Sequence, residues 1–243
     1  MMQCVLLAAG KGHRLNADVT NKCLVKVNDQ PLIEYSLRFL SPQIFDELIV
    51  VVGHNAEYIK NYIGNDYRGI KVTYVNQSPQ LGIAHAILVA SPYINKDFMM
   101  CLSDEIMINP KIEEMVTAFT NMLPDCLCGV TRDIPENIQK AYTLQLDQYG
   151  QVTQIVEKPH EIFNEWKGTG LCLMKQTMLP VLKNLKPNEH RNEYEMGNWI
   201  QLAIDSGLVC RIAEAADANF NINELQDIQS AETYIKQEMK RGE

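Results

Sequence analysis

Short apolar runs alternate along this chain with amphipathic stretches of helical period, and this alternation constrains the fold more than any other feature of the sequence. Runs such as ELIVVV at 47–52 have the length and the β-branched content of buried strands. Because neighbouring parallel strands are joined through a crossover element, usually a helix, the pattern predicts an α/β fold with a largely parallel sheet. With 46% hydrophobic residues among 243, the chain is able to bury a substantial core.

The texture of the sequence changes near residue 127: strands and helices alternate before it, whereas strands separated by turns dominate after it until helices resume near residue 176. We expect strands at 5–8, 47–52, 72–75, 98–103, 127–130, 142–146, 152–157, 170–174 and 208–212. We expect helices at 31–40, 56–63, 82–91, 111–122, 176–185, 196–206 and 226–240. The sequence contains no linker and no internal repeat, so we predict a single domain, 1–243, with two halves, 1–125 and 126–243.

Acidic residues outnumber basic ones by 30 to 22, which gives a formal net charge of −8. A chain of this charge is a poor candidate for nucleic-acid binding, which requires clustered Lys and Arg. The start, MMQCVLLAAGKG, lacks a basic n-region, and its apolar run is too short to span a bilayer. Seven cysteines are spread without a paired framework. We therefore expect a cytoplasmic protein with buried free thiols and with no membrane or nucleic-acid partner.

The segment LLAAGKGHRL places Gly10 and Gly12 directly after the first strand, with Lys11 and Arg14 beside them. Glycine permits positive φ, and a Gly-containing loop lets backbone N–H groups approach a phosphate chain while the two cations neutralise its charge. Ligands of parallel sheets bind beyond the carboxyl ends of the strands, where this loop lies. The spacing matches neither GxGxxG nor the P-loop, so these residues alone leave open both a phosphate site and an ordinary strand–helix turn.

The continuation LLAAGKGHRL…TNKCLVKVNDQPLIEYSL resembles the signature of the sugar-1-phosphate nucleotidyltransferases, or sugar-nucleotide pyrophosphorylases. The resemblance implies a three-layer α/β/α Rossmann-like fold with a mixed, mostly parallel central sheet. It also implies that 1–125 is the nucleotide-binding half and 126–243 the acceptor-binding half. Two positions depart from the family pattern: Asn21 replaces the usual Pro before the lysine, and Ser103 replaces the usual Gly before Asp104.

The resemblance assigns roles to the residues of this N-terminal segment. Lys22 is expected to meet the α-phosphate and the acceptor, and together with Arg14 it is a candidate catalytic residue. The end of the first strand is expected to line the base site through its backbone, and the glycine loop to hold the triphosphate. The nucleotide-binding residues expected here are Leu7, Ala8, Ala9, Gly10, Lys11 and Gly12.

A second stretch, NQSPQLGIAHA at 76–86, resembles the family motif Q-x-x-x-L-G-T-A-x-A. By this resemblance Gln77 recognises the edge of the base, since an amide offers both a donor and an acceptor. Gly82 begins a helix and lets the base or ribose approach the backbone. His85 falls at a variable position of the motif, and we expect it on the helix surface rather than in catalysis.

The strand FMMCLSDE ends in Asp104, which matches the metal-binding acid of the family and is expected to bind Mg²⁺, a hard cation that prefers oxygen ligands. Its neighbour Glu105 is expected to be a supporting or solvated group. Near the C-terminus, NFNINELQDIQSAE resembles the family segment that returns a second ligand to the metal. Alignment of Asp227 with that segment makes Asn223 the expected ligand and Asn221 the alternative, although both residues also suit the cap of the last helix.

An E-K-P motif like that of the members that use sugar 1-phosphates lies at 157–159. By this resemblance Lys158 neutralises the acceptor phosphate, which makes it a third candidate catalytic residue, and Glu157 accepts hydrogen bonds from sugar hydroxyls. Gly170 follows in a G-T-G segment, and Tyr142 lies where the family often has Y-G. These four residues are the expected acceptor site.

Together these motifs predict an Mg²⁺-dependent nucleotidyltransferase in which an acceptor phosphate attacks the α-phosphorus of an NTP in line. LAAG rather than LAGG favours a pyrimidine nucleotide, and the resemblance favours a sugar 1-phosphate as acceptor. Three alternatives remain: a cytidylyltransferase for phosphocholine, a phosphonate or another non-sugar phosphate; a catalytically silent nucleotide-sugar sensor; and a glycosyltransferase, for which the expected D-x-D pair is missing at Asp104. Homo-oligomerisation is left open.

Overall fold

A computed structural model describes residues 1–10, 12 and 21–241. Its strands are β1 (Met2–Ala8), β2 (Lys26–Val27), β3 (Gln30–Pro31), β4 (Phe45–Val52), β5 (Asp66–Tyr67), β6 (Ile70–Asn76), β7 (Phe98–Leu102), β8 (Glu105–Ile108), β9 (Cys126–Arg132), β10 (Tyr142–Leu146), β11 (Val152–Glu157), β12 (Trp166–Met174), β13 (Cys210–Glu214) and β14 (Ala218–Asn221). Its α-helices are α1 (Glu34–Leu37), α2 (Ala56–Ile63), α3 (Ile83–Ala90), α4 (Ile112–Met122), α5 (Pro135–Ile138), α6 (Met196–Asp205) and α7 (Leu225–Arg241). Short 3₁₀ helices lie at Lys22–Leu24, Ser91–Tyr93, Gln176–Met178 and Pro180–Asn184.

Eight of the strands form one sheet in the order β13-β9-β12-β7-β1-β4-β6-β5. The pairs β7–β1, β1–β4, β4–β6 and β13–β9 are parallel, whereas β12 runs antiparallel to both β7 and β9, and β5 runs antiparallel to β6. Strands from 1–125 form one side of the sheet and strands from 126–243 the other, and the two sides meet where β12 pairs with β7. The predicted mixed, mostly parallel sheet is confirmed.

The side chains of β1 alternate between the two faces of the sheet, as the pleat of a strand requires. Val5 and Leu7 pack on one face with residues of α3 and α6, and Cys4 and Leu6 pack on the other face with residues of α2 and α4. Both faces of the central strand are therefore buried, which explains why its sequence reads as a continuous apolar run rather than as an alternating one. Helices on both faces give the predicted three layers.

The first predicted helix is much shorter than expected, because only Glu34–Leu37 is α-helical. The N–H groups of Leu32 and Ile33 do not enter that helix. They donate instead to the carbonyls of Val25 and Cys23, each at 2.8 Å. These bonds attach the segment to the preceding 3₁₀ helix, which contains Lys22.

The segment expected as a helix at 176–185 consists instead of two 3₁₀ helices, at Gln176–Met178 and Pro180–Asn184. Pro180 has no N–H to donate to the carbonyl of Gln176, as an α-helix would require. The N–H of Leu179 takes that carbonyl at 3.0 Å, in the tighter i→i+3 pattern. The prediction of one α-helix at 176–185 was wrong because Pro180 breaks the helical hydrogen-bond pattern that the apolar spacing suggested.

A small antiparallel pair, β8 with β14, was not predicted. Its register places Glu105 opposite Asn221 and Ile108 opposite Ala218. The pair draws the C-terminal segment back to the end of β7, where the N–H of Ile222 donates to the carbonyl of Asp104 at 2.9 Å. Residues more than a hundred positions apart in the chain are brought together at this point.

The expectations drawn from composition can be compared with the structure directly. All seven cysteine side chains are buried free thiols, as predicted. Within the ranges that the structure describes, no helix is both long enough and apolar enough to cross a bilayer.

Candidate active site

The expected metal-binding acid lies where the chain leaves the sheet after β7. The N–H of Ser103 donates to the carbonyl of Leu7 at 3.1 Å, and Ser103 Oγ donates to the same carbonyl at 2.7 Å. The hydroxyl also lies 3.0 Å from Cys23 Sγ, and Ser103 is buried. The serine that replaces the family glycine thus bonds to β1 through both its N–H and its hydroxyl, and the turn that carries Asp104 accommodates it.

Three polar side chains from distant segments meet at this turn. Lys22 Nζ lies 2.6 Å from Asp104 Oδ2 and 3.1 Å from Asn223 Oδ1. The Lys22 side chain is 8% exposed and the Asp104 side chain 27%, so the ammonium is nearly enclosed while the carboxylate stays accessible. The structure therefore holds one cation between two oxygen atoms that the sequence named as metal ligands.

These two oxygen atoms fit Mg²⁺, because a carboxylate and an amide carbonyl are hard donors and both converge on a single cationic atom. Of the two candidate amides, it is Asn223 whose Oδ1 faces that atom. Asn221 Oδ1 instead accepts a hydrogen bond from Asn223 Nδ2 at 3.1 Å. The carboxylate of Asp227 accepts the N–H of Asn223 at 2.7 Å and so fixes its backbone.

Lys22 is positioned by the residues on either side of it. Asn21 Oδ1 accepts the N–H of Cys23 at 2.9 Å and caps the 3₁₀ helix that begins at Lys22. Asn21 Nδ2 also donates to the carbonyl of His54 at 3.3 Å. Gly12 has φ +64, and a Cβ there would lie 2.6 Å from Lys22 Cβ, so both its conformation and this contact require glycine. The asparagine that replaces the family proline thus performs a capping role of its own.

The end of β1 carries the remaining residues of the first motif. Leu7, Ala8 and Ala9 are buried, and Gly10 is exposed at the edge of the sheet. The role of their backbone in lining the base site stays a prediction. The expected phosphate-binding residues Lys11 and Arg14 lie outside the described residues.

The expected base-recognition residue lies at the end of β6. Gln77 is buried, and its N–H donates to the carbonyl of Val52 at 2.8 Å. Gln77 Nε2 lies 3.0 Å from the Gly82 carbonyl and 3.0 Å from His85 Nδ1. Gly82 has φ +99, and a Cβ there would lie 2.7 Å from the Tyr194 carbonyl. His85, which was expected on the helix surface, is half-buried with its ring beside Gln77, and burial lowers its pKa.

Sequence reasoning missed Gln80, which lies beside the end of β1. Its Oε1 is buried and has no hydrogen-bond partner among the described residues. A Cβ at Gly53 would lie 2.2 Å from Gln80 Nε2 and 2.8 Å from the carbonyl of Ala9. A buried amide oxygen without a donor is costly, so this oxygen is suited to accept a hydrogen bond from a ligand. In the sequence, the only indication of this residue is its place directly before Leu81-Gly82 in the second motif.

The expected acceptor-binding pair lies at the end of β11. Glu157 Oε2 is buried without a hydrogen-bond partner in the described part of the chain. A Cβ at Gly197 would lie 2.6 Å from that oxygen, so the start of α6 abuts the carboxylate. Burial, reinforced by the nearby charge of Glu195, raises the pKa of Glu157 to about 7. Lys158 is exposed, and no described side chain forms an ion pair with it.

The segment before α6 connects the expected acceptor-binding residues to the expected base-binding residues. The N–H of Tyr194 donates to the Leu81 carbonyl at 2.7 Å, and the N–H of Ala84 donates to the Tyr194 carbonyl at 2.9 Å. The next residue, Glu195, is buried and forms an ion pair with Arg191. The start of α3 and the start of α6 are thereby held side by side.

Two residues expected at the acceptor, Gly170 and Tyr142, are part of the framework. The N–H of Gly170 donates to both carboxylate oxygens of Glu105, at 3.1 and 2.9 Å. Glu105 is buried rather than solvated, and burial raises its pKa to about 7. Tyr142 is also buried, and its hydroxyl donates to the carbonyl of Thr169 at 3.2 Å. Tyr142 therefore supports β12 from beneath, which corrects the expectation of a direct contact between its hydroxyl and an acceptor.

Comparison with known proteins gives matches along most of this chain. A family model described as nucleotidyl transferase matches residues 3–239. The UTP–glucose-1-phosphate uridylyltransferase AglF of Haloferax volcanii is 29% identical over 239 residues, which are 98% of each chain. The low-salt glycan biosynthesis nucleotidyltransferase Agl11 of the same organism is 32% identical over 213 residues, 85% of this chain and 58% of that protein.

Solved structures show the same fold at lower identity. A UDP-glucose pyrophosphorylase complexed with UDP-glucose superposes with a TM-score of 0.85 at 18% identity, covering 98% of this chain and all of the other. The inositol-1-phosphate CTP transferase from T. maritima superposes with a TM-score of 0.76 at 18% identity, over 93% of this chain and 91% of the other. The Rossmann-like fold and the family resemblance expected from the motifs are both confirmed, and this chain belongs to the nucleotidyl transferase family.

Proposed function

We propose that this enzyme transfers the NMP unit of an NTP, with a pyrimidine base favoured, to a sugar 1-phosphate, forming an NDP-sugar and pyrophosphate. The observation that carries the proposal is the convergence of Asp104 Oδ2 and Asn223 Oδ1 on Lys22 Nζ at the carboxyl end of β7, at 2.6 and 3.1 Å. The relative AglF, which is named a UTP–glucose-1-phosphate uridylyltransferase, supports a sugar 1-phosphate as acceptor.

Asp104 and Asn223 are the residues that would hold Mg²⁺. When bound, the ion would neutralise charge on the triphosphate oxygens, which would make the α-phosphorus a better electrophile. Lys22 occupies the position between these ligands, so the ammonium has to leave Asp104 and move to the phosphates as substrate enters. The Lys22 side chain lies close to Gly12, one of the residues expected to hold the triphosphate.

The acceptor is bound from the other side of the site. The ammonium of Lys158 is available for an anionic phosphate, and the unpartnered oxygen of Glu157 is available for sugar hydroxyls. An oxygen of the acceptor phosphate attacks the α-phosphorus, a new P–O bond forms, and the bond to the β-phosphate breaks with departure of pyrophosphate. The attacking oxygen is already anionic, so the residues contribute position and positive charge rather than a general base.

Pyrophosphate release tests the proposal. The enzyme is incubated with Mg²⁺ and each of UTP, dTTP, CTP, ATP and GTP, against a panel of sugar 1-phosphates, phosphocholine and aminoethylphosphonate. We expect release that requires both one pyrimidine NTP and one sugar 1-phosphate. Release with phosphocholine or the phosphonate alone would replace the sugar in this proposal with a non-sugar phosphate. Nucleotide binding without release from any pair would overturn the transferase and leave the nucleotide sensor.

A further inference from the structure

The amide of Gln77 has only one orientation that its neighbours allow. Its Nε2 lies 3.0 Å from the carbonyl oxygen of Gly82, which is only an acceptor, so the nitrogen and not Oε1 belongs on that side. The other amide hydrogen points to His85 Nδ1, also at 3.0 Å. That nitrogen must then be an acceptor, which makes His85 a neutral imidazole with its proton on Nε2.

The surroundings of His85 hold its ring in this role. His85 lies in the first turn of α3, half-buried, with the ring of Tyr194 at 6.0 Å between centroids. Burial lowers the pKa of His85 and so favours the neutral ring. The backbone bonds of Tyr194 to Leu81 and Ala84 fix the helix start that carries the imidazole.

The oxygen at the opposite end of the amide is left as a free acceptor. Both hydrogens of Gln77 Nε2 are used, and within the described ranges no group donates to Gln77 Oε1. A fixed carbonyl acceptor complements an imide N3–H, which uracil and thymine present. Cytosine carries a lone pair on the same atom, which a carbonyl oxygen repels.

We propose that His85 is a positioning residue for base choice: by accepting one hydrogen from Gln77, it locks the amide with its oxygen toward the nucleotide and selects imide bases over cytosine. This inference rests on the proposed function, since it presumes that the base of the donor nucleotide lies against Gln77. His85 does not touch the reacting atoms, so its loss is expected in nucleotide KM and discrimination rather than in kcat.

The test compares His85→Phe, which keeps a planar ring without an acceptor, with His85→Asn, whose amide oxygen restores an acceptor close to the position of Nδ1. The ratio of kcat/KM for UTP to that for CTP is measured with the best sugar 1-phosphate. For His85→Phe we expect this ratio to fall about tenfold, mainly through a higher KM for UTP, since the Gly82 carbonyl still holds the amide. For His85→Asn we expect a ratio within about threefold of the wild type.

Two further measurements do not depend on turnover. Dissociation constants of UTP and CTP, measured by calorimetry on both variants, are expected to follow the same pattern. Long-range ¹H–¹⁵N NMR of the histidine-labelled wild type, with His85→Asn to assign the signal, is expected to report the Nε2–H tautomer. An Nδ1–H tautomer, a wild-type preference for CTP, unchanged discrimination in His85→Phe, or equal damage in both variants would overturn the inference.

These outcomes separate the two proposals. If the wild type releases no pyrophosphate with any pair, the transferase fails, but the tautomer and the UTP-to-CTP binding ratio still decide the role of His85. If the wild type is active and prefers CTP, the transferase stands and the role of His85 is overturned.

Discussion

The proposed metal side and the proposed acceptor side of the site differ in how their charges are compensated. In the Lys22–Asp104–Asn223 cluster, the ammonium already has two oxygen partners from the chain itself. At Glu157 and Lys158, a buried carboxylate oxygen and an exposed ammonium have no such partner among the described residues. The first side is therefore complete without a ligand and has to be opened by one, whereas the second side obtains its missing partners from the ligand.

The largest test of this comparison is Asp104→Asn. The substitution keeps the shape of the side chain but removes the charge that pairs with Lys22, and we expect pyrophosphate release to fall by roughly 10³-fold, as when a metal ligand and a preorganised charge are both lost. The matched control is Asp205→Asn, an exposed acid at the end of α6, which should retain wild-type turnover. Turnover within about threefold of the wild type in Asp104→Asn would remove the metal site from this position.

Lys22→Met sharpens the comparison by moving two quantities in opposite directions. Without the ammonium we expect turnover to fall by about 10²–10³-fold, since a preorganised charge at the α-phosphate is lost. Binding of Mn²⁺ to the nucleotide-free protein should tighten by about tenfold, because a competing cation no longer sits between Asp104 and Asn223. Titration calorimetry measures the second effect, with Lys26→Met as an exposed control. An unchanged Mn²⁺ affinity would show that Lys22 does not compete for these ligands.

On the acceptor side, Lys158→Ala has a smaller expected effect. We expect the KM for the sugar 1-phosphate to rise by about 10–100-fold with little change in the KM for the NTP, since one charge-assisted contact to the acceptor is removed. Lys183→Ala, an exposed lysine of the Pro180–Asn184 turn, serves as control. A rise in the KM for the NTP instead would place Lys158 against the triphosphate.

Glu157→Gln tests whether the buried carboxylate of Glu157 lowers the stability of the protein when no ligand is added. Burial raises the pKa of Glu157 to about 7, above its value in the unfolded chain, so the free energy of unfolding should decrease as the pH rises from about 4.5 to 7. Glutamine does not ionise, and we expect the variant to be more stable than the wild type by about 1–3 kcal/mol at pH 8, with little difference at pH 4. Urea unfolding at both values measures this, and equal stability of the two proteins at pH 8 would contradict it.

The sheet could be predicted from the sequence because its strands carry their own local signal. The run ELIVVV is apolar on both faces, and the observed β4 extends it by only two residues at its start. The bounds of α2, β10 and β11 coincide with the predicted ones. By contrast, β8 and β14 are short strands that form only by pairing with each other. They lie far apart in the sequence, so no local pattern predicts this pairing.

The candidate site was predictable where motifs name residues and not where contacts depend on how loops return. The family motifs named Lys22, Asp104 and Asn223, and the structure brings their polar atoms together. The bond between Gln77 and His85 depends on the path of the loop that joins the end of β6 to the first turn of α3. Nothing in the spacing of these two residues distinguishes that path from a helix with a solvated histidine.

The return of the C-terminal segment along β14 has a consequence for biosynthesis. Asn223 is 201 positions after Lys22, so the third member of the cluster leaves the ribosome long after the first. A nascent chain that has formed β1, β4, β6 and β7 contains Lys22 and Asp104 but lacks Asn223, the second metal ligand of the proposed site. Under the proposed function, the metal site would therefore be completed late in synthesis, with the segment that follows β14.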